Sequence, residues 1–212
     1  MGSSILSTHS LLLVLVAMVA TTSHMAHASD PDITSDFILP PFTTPIDGNY
    51  FTFMGMRAPL GMDSVPAAFN VTKASMVQFP ALNGQSVSYA LLQFPPTAVN
   101  PPHTHPRAAE LLLVLQGCLE VGFVDTTNKL YTQTLILGDM FVFPKGLVHY
   151  QYNADPKQPA VALSAFGSAN PGTVSVPTTV FATGIDDVVL AKAFKTEVGT
   201  VRVLKAGLAP KA

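Results

Sequence analysis

The chain has 212 residues, of which 48% are hydrophobic, so it is long enough to form one domain with a substantial core. Its formal net charge is −2, only 11% of its residues are charged, and no cluster of Lys and Arg occurs. This charge pattern argues against a nucleic-acid-binding protein. The single cysteine, Cys118, excludes an intrachain disulfide. Because Cys118 lies in an apolar run, we expect a small buried hydrophobic residue rather than the alternative, a reactive thiol.

Residues 1–28 have the features of a secretory signal peptide. The apolar run over residues 11–20 is short for a membrane span, and Ala26-His27-Ala28 is typical of a cleavage site. Cleavage after Ala28 would leave one domain over residues 29–212. The alternatives are a buried hydrophobic helix and a retained membrane anchor. In a secreted chain, the sequon Asn70-Val71-Thr72 predicts a glycan on Asn70.

The rest of the sequence predicts an all-β domain with a helical tail. Residues 29–49 are expected to form an extended arm without regular structure. After them come short runs rich in Val, Leu, Phe, Tyr and Thr, punctuated by Pro and Gly. This spacing favours an antiparallel sandwich or jelly roll over alternating strands and helices. Near the C-terminus the apolar spacing becomes helical, which predicts two short helices with Asp186 and Thr196 as N-caps.

Histidine usage is the most informative feature of the mature chain. Of the six histidines, three fall within residues 1–28, and the other three are His103, His105 and His149. Glu110, one of only three glutamates, follows the first pair closely. Side chains two apart on a strand share a face, so His103 and His105 can reach one ion. Glu110 has the wrong parity for a straight strand, so a bend at Pro106-Arg107 is required.

A second segment supplies the fourth ligand of the predicted metal site. His149 follows the turn residues 144–146, which reverse the chain so that this segment can pair beside the first. Three nitrogens and one oxygen leave one or two positions open on an octahedral ion, which suits manganese or iron and tolerates nickel, copper or zinc. A closed tetrahedral zinc site that only stabilises the fold is the alternative, as are histidines that bind nothing.

The two segments resemble the paired motifs of the cupin superfamily, and most closely those of the plant germin-like proteins. The first motif is PPHTHPRAAE followed by a closing glycine at 117, and the second is GDMFVFPKGLVHYQYN over residues 138–153. The resemblance implies a cupin jelly-roll β-barrel with short C-terminal helices and one Mn²⁺ per subunit. It carries the ligand role onto His103, His105, Glu110 and His149. It also implies an extracellular, apoplastic location and a homohexamer built as a trimer of dimers.

The chain departs from that family pattern in two places. Many germins have two cysteines near the mature N-terminus that form a disulfide, and this chain has none there. Germins that oxidise oxalate use two asparagines near the metal; Asn100 matches one, but Ala90 stands at the position of the other. The resemblance therefore implies a metal cage without half of the substrate's amide contacts. Asn100 and Asn153 are the residues we expect to surround the ligands or the substrate pocket.

Three hypotheses for the function remain open at this point. The first is a redox enzyme with superoxide dismutase activity that releases hydrogen peroxide in the cell wall or in defence, without oxalate oxidase activity. The second is a non-catalytic ligand-binding protein of the cell wall, similar to the auxin-binding members of the family. The third is a structural, metal-stabilised oligomer. The low charge content predicts surface hidden between subunits, although a β-rich domain with a Thr, Ser and Asn surface explains it equally well.

Overall fold

The computed structural model describes residues 30–41, 46–61 and 65–208. The predicted signal peptide, residues 1–28, lies outside these ranges. In residues 30–41 and 46–61 the chain forms turns and bends but neither helix nor strand, as expected for the arm. Over the described ranges, each helix is too short or too polar to cross a membrane.

Within the described residues, ten strands form two antiparallel five-stranded sheets, which confirms the all-β jelly-roll prediction. The first sheet has the order β1-β2-β9-β4-β7, and the second has the order β10-β3-β8-β5-β6. Long connections cross between the sheets, so sequence neighbours such as β3 and β4 lie in different sheets. The strands are β1 (Asn70–Ala74), β2 (Ser88–Phe94), β3 (Val99–Thr104), β4 (Glu110–Gln116), β5 (Cys118–Val124), β6 (Leu130–Ile136), β7 (Met140–Phe143), β8 (Val148–Tyr152), β9 (Ala160–Phe166) and β10 (Val174–Ser175).

The main core lies between the two sheets because alternate residues of each strand point inward. Leu112 and Val114 of β4 and Leu119 and Val121 of β5 are fully buried, whereas Leu111 faces outward and is 46% exposed. Cys118 is only partly buried, which differs from the expectation of a small buried hydrophobic residue. Cys118 is the first residue of β5 and directly follows the turn at Gly117.

The C-terminal segment contains three helices rather than the two predicted: α1 (Val176–Phe181), α2 (Asp187–Ala193) and α3 (Val198–Leu208). Asp186 is confirmed as an N-cap, since its carboxylate accepts hydrogen bonds from the backbone N–H groups of Val188 and Val189. The prediction for Thr196 was wrong, because α3 begins at Val198. The Thr196 N–H instead donates to the carbonyl of Ala191, and this bond closes the end of α2.

The helices have a small core of their own. Val201 of α3 is fully buried and Leu190 of α2 nearly so, and both pack with Val180, Phe181 and Val198. The remaining apolar side chains of α2 and α3 point away from this core. Exposed examples are Val188, Val189, Val203 and Leu204, while Phe194, directly after α2, is half-exposed and keeps its ring against Phe181.

Candidate metal centre

The four predicted ligands meet between the two sheets. His103 on β3 lies directly opposite His149 on β8, so the expected pairing of the two segments is present. His105 follows the last residue of β3, and Glu110 is the first residue of β4 in the other sheet. One potential ligand atom from each of the four side chains lies within 4.8 Å of the others, and all four residues are buried.

The predicted bend at Pro106-Arg107 is present, but it also moves the chain from one sheet to the other, which was not predicted. Between His105 and Glu110 the chain leaves the second sheet and enters the first. The strand parity that seemed to turn Glu110 away therefore does not apply, because Glu110 faces the histidines across the space between the sheets. The short Pro106-Arg107 segment makes this crossing.

Backbone carbonyls fix the orientation of all three imidazoles. The Nδ1 atoms of His103 and His149 lie 2.8 Å and 2.9 Å from carbonyls two residues earlier, those of Pro101 and Leu147. The Nδ1 atom of His105 lies 2.5 Å from the carbonyl of Gly172 in a distant loop. In a neutral imidazole Nδ1 then carries the proton, so the lone pair of Nε2 is free for a metal ion.

The Glu110 carboxylate has one oxygen toward the histidines and one toward supporting side chains. Its Oε2 atom lies 3.0 Å from the Nε2 of His105 and 3.1 Å from that of His149. Its Oε1 atom accepts hydrogen bonds from Gln151 at 3.2 Å and from Ser164 at 2.6 Å. Burial opposes ionisation of Glu110, but its contacts with His105 and His149 outweigh burial and hold the carboxyl pKa well below its usual range.

His103 is electrostatically suited to bind a cation as a neutral ligand. Burial, reinforced by the proximity of His149, lowers the pKa of His103 to about 4. A histidine with this pKa is uncharged at neutral pH. A metal ligand must be deprotonated, so His103 does not have to lose a proton before it binds.

The donor set fits a divalent metal ion. Three Nε2 lone pairs and one carboxylate oxygen point at a common centre, and the opposite nitrogens and oxygen are already hydrogen-bonded. A metal ion at this centre would place positive charge between the Glu110 carboxylate and the Nε2 atoms of the three histidines. The arrangement therefore suits a metal ion that three imidazoles and one carboxylate can hold.

The cluster forms the deep end of a cavity of about 460 Å³. His103, His105 and Glu110 line it, together with Asn100 of β3 and apolar side chains that include Phe69, Val71, Leu92 and Phe166. The Asn100 side chain donates to the amide oxygen of Gln151 at 2.7 Å, and Gln151 in turn donates to Glu110. Asn100 therefore lies beside the cluster and contacts it through one intermediary.

The other two predicted asparagines lie elsewhere. Asn153 is fully buried, and its amide donates to the carbonyls of Phe94, Pro95 and Gln158. Because these bonds hold the loop after β8 against the end of β2, Asn153 supports the fold and does not line the cavity, contrary to our expectation. Asn70 is exposed at the start of β1, where a glycan has access to solvent.

Sequence reasoning missed the residues that support the ligands. Gln151 lies two residues after His149 on the same strand, so strand alternation was a usable signal for it. Ser164 had no such signal, since it reaches Glu110 from β9. The loop that supplies the Gly172 carbonyl was also missed. Two side chains outside this loop hold it in place. Arg107 donates hydrogen bonds to Asn170 of the loop, and Asp30 of the arm accepts hydrogen bonds from Ser168 and Ala169 of the loop.

Comparisons with known proteins agree with this architecture. The Cupin family model matches residues 58–202. Germin-like protein 9-3 of Oryza sativa subsp. japonica is 61% identical over 216 residues, which cover 99% of this chain and 98% of the rice protein. The chain therefore belongs to the germin-like proteins of the cupin superfamily.

Solved structures of oxalate oxidase share the fold. One, from a study of the mechanism of oxalate oxidase, superposes with a TM-score of 0.75 at 34% identity, covering 86% of this chain and all of that one. A second, oxalate oxidase in complex with the substrate analogue glycolate, has a TM-score of 0.76 at 33% identity with the same coverage. In these relatives the fold accommodates an enzyme of small carboxylates.

Proposed function

We propose that this chain is a secreted, manganese-binding germin-like protein of the apoplast that converts superoxide to hydrogen peroxide. The observation that carries the proposal is the buried cluster of three histidines and one glutamate at the deep end of an accessible cavity. Bound manganese would supply one-electron exchange, so that two superoxide ions and two protons yield one dioxygen and one hydrogen peroxide molecule.

The residues of the chain would hold and tune such an ion. His103, His105, Glu110 and His149 would bind it, and the carbonyls behind the imidazoles keep their Nε2 atoms directed at the centre. Gln151 donates a hydrogen bond to Glu110 and accepts one from Asn100. Such outer contacts set ligand basicity and access to the ion. The apolar walls of the cavity limit the water that reaches it.

We expect no appreciable oxalate oxidase activity. Ala90 lines the cavity at the position where oxalate-oxidising germins have an amide, and a methyl group cannot donate a hydrogen bond to a carboxylate oxygen. The comparison to make is between the metal-loaded wild type and Ala90→Asn, assayed for oxalate-dependent hydrogen peroxide. Wild-type turnover equal to that of a true oxalate oxidase would overturn this expectation.

A non-catalytic binding role is the second candidate. The apolar lining by Phe69, Val71, Leu92 and Phe166 favours it, because such walls suit a small organic ligand whose carboxylate is held at the metal. In this case the metal would be bound but superoxide would not be consumed. The third candidate, a purely structural metal, predicts unfolding when the metal is removed.

The decisive experiment combines metal analysis with a superoxide assay. The full chain would be expressed in a plant secretory host, and superoxide consumption would be measured as purified, after chelation, and after reloading with manganese. Loss and recovery of activity with an intact fold supports the enzyme. Bound manganese without activity supports the binding role, and chelation that unfolds the protein supports the structural role.

Two glutamates provide a matched pair of variants for this assay. Glu110→Gln removes the ligand charge, and we expect it to lose metal and activity together. Glu120→Gln makes the same chemical change on β5, where the side chain is exposed, and both properties should remain at wild-type values. Equal behaviour of the two variants would contradict the proposed centre.

Secretion is tested on the same material. We propose that the mature chain begins at Ser29 and has one glycan on Asn70. N-terminal sequencing and intact mass before and after deglycosylation measure both points. A chain that starts at Met1 contradicts secretion, and an unchanged mass contradicts glycosylation.

A further inference from the structure

A single lysine faces the cavity that leads to the candidate metal centre. Among the described residues that line this cavity, Lys73 of β1 is the one cationic side chain. Its strand is at the edge of the first sheet, and its side chain is exposed at the cavity mouth. None of the ion pairs among the described residues involves Lys73. Its charge is therefore available to a ligand.

The sheet register places Lys73 beside the position that distinguishes this chain from oxalate-oxidising germins. Lys73 is the direct partner of Ala90 on β2, and Ala90 is the partner of Ser164 on β9. Directly paired residues point to the same face of a sheet. Across β1, β2 and β9 the inward row therefore reads lysine, alanine, serine, and its serine binds Glu110. The row continues to Leu112 on β4, two residues from Glu110.

The row also sets the length of a ligand that touches both ends. From β1 to β4, which begins with Glu110, there are three strand spacings, or about 14 Å between backbones. The lysine side chain is long and flexible, so it shortens this gap without closing it. The two carboxyl groups of oxalate are bonded to each other and cannot span it. Ala90 and Phe166 line the region between the ends with apolar surface, since Ala90 is the partner of Lys73 and Phe166 is the partner of Glu110.

We propose that the cavity binds an elongated dianion, with one carboxylate at the metal beside Asn100 and a second anionic group on Lys73. Several carbon atoms separate the two groups and lie against Ala90 and Phe166. Lys73 thus acts as a specificity-determining residue, and the ligand class is a dicarboxylate longer than oxalate. The inference rests on the proposed metal centre and not on superoxide turnover.

An alternative role for Lys73 follows from its place at a sheet edge. Charged residues on edge strands, lysine above all, prevent pairing with other chains. In that role Lys73 would change aggregation and leave ligand binding untouched. The two roles therefore make opposite predictions for binding by a variant that lacks the charge.

Calorimetric titration of the manganese-loaded protein tests the proposal. The probes are oxalate, succinate, adipate and suberate, with hexanoate as the monocarboxylate matched to adipate. We expect a longer dicarboxylate to bind better than both oxalate and hexanoate. Lys73→Met should weaken adipate binding about three- to tenfold, as for a partly exposed charge pair, and leave hexanoate unchanged.

The control variant is Lys157→Met, which removes an exposed lysine from the loop after β8, outside the residues lining the cavity. It should bind every probe as the wild type does. Equal adipate affinity in the wild type and Lys73→Met, or tightest binding of oxalate, would overturn the inference. If the protein does not consume superoxide but prefers adipate through Lys73, the proposed activity is wrong and the inference about Lys73 stands. If the protein consumes superoxide but shows no such preference, the activity stands and the inference about Lys73 is wrong.

Discussion

The barrel interior and the C-terminal helices differ in how much of their apolar surface is buried. Between the sheets, large apolar side chains are buried, and every buried polar side-chain atom of the described residues has a hydrogen-bond partner. On α2 and α3, by contrast, Val189 is 57% and Val203 is 72% exposed. The interior of the barrel is therefore complete within a single subunit, whereas the helices, like the outer face of the barrel at Met140, leave apolar side chains exposed.

This difference separates the two properties that we ascribe to the chain. Metal binding needs a rigid, dry and fully hydrogen-bonded interior, which the barrel provides. Association needs accessible apolar area, which the helices provide. We propose that the helices form part of the interface of a hexamer, a stoichiometry that rests on the family resemblance. Variants in one region should therefore leave the property of the other region unchanged.

The largest effect is expected from His105→Ala. Removal of one of four ligands leaves a three-ligand site, so the affinity for metal should fall steeply. Elemental analysis should show most of the metal lost, while size exclusion with light scattering shows the wild-type assembly. An unchanged metal content would remove His105 from the ligand set, and a change in assembly would show that the regions are coupled.

The next largest effect is expected from truncation at Asp186. Loss of α2 and α3 exposes Val180 and Phe181 of α1 and removes the exposed apolar faces. We expect smaller or aggregated species by light scattering, with metal content per chain near that of the wild type. A stable assembly of wild-type size would contradict the role of the helices.

A milder variant separates loss of an interface from loss of folding. Val203→Lys places a charge on the exposed apolar face of α3 without touching the buried Val201. It should lower the assembly state, whereas Ala154→Lys, in an exposed turn of the barrel, should not. If both variants assemble like the wild type, the face around Val203 is not an interface.

The third prediction concerns a side chain that supports a ligand. Ser164→Ala removes the hydrogen bond to Glu110 and should weaken metal binding about tenfold, as is typical for contacts behind a ligand. Ser75→Ala is the matched control, because Ser75 is also buried and donates a hydrogen bond of the same length to Gln78 rather than to Glu110 or to the loop that orients His105. Metal affinity measured by competition with a chelator should fall only in the first variant. Equal affinities would show that Ser164 does not support the site.

These supports also mark the limit of what could be predicted from the sequence. His103 and His149 are oriented by carbonyls two residues away, so local spacing contained most of the information about them. His105 depends on Gly172 and Glu110 depends on Ser164, which are 67 and 54 residues away along the chain. No local pattern reports contacts that only the folding of two sheets creates.

The fold shows the same division. Alternating apolar runs predicted most of the long strands and the jelly roll, because strand alternation is local. The crossing between His105 and Glu110 was missed because it depends on which sheet each strand joins. Helix α1 was missed as well, since a six-residue segment with Pro177 near its start has a weak periodic signal. Thr196 was predicted as an N-cap because threonine before a helical run is typical of that position, but its N–H closes the end of α2 instead.

The smallest expected effect is at the cap of α2, inside the region that we expect to be marginal as a single subunit. Asp186→Ala removes both hydrogen bonds to the backbone N–H groups of Val188 and Val189, at 2.9 and 3.2 Å. Loss of a cap costs about 1 kcal/mol, which corresponds to roughly fivefold faster hydrogen exchange of these amides by local opening.

Asp187→Ala removes ion pairs with Arg202 and Lys205 instead, and the Arg202 side chain is 72% exposed. Because neither ion pair involves the capped N–H groups, the effect of Asp187→Ala on hydrogen exchange of the Val188 and Val189 amides should be smaller. Barrel amides should exchange at wild-type rates in both variants. Faster exchange throughout the barrel after either substitution would show that the helices stabilise the barrel and would remove the distinction between the two regions.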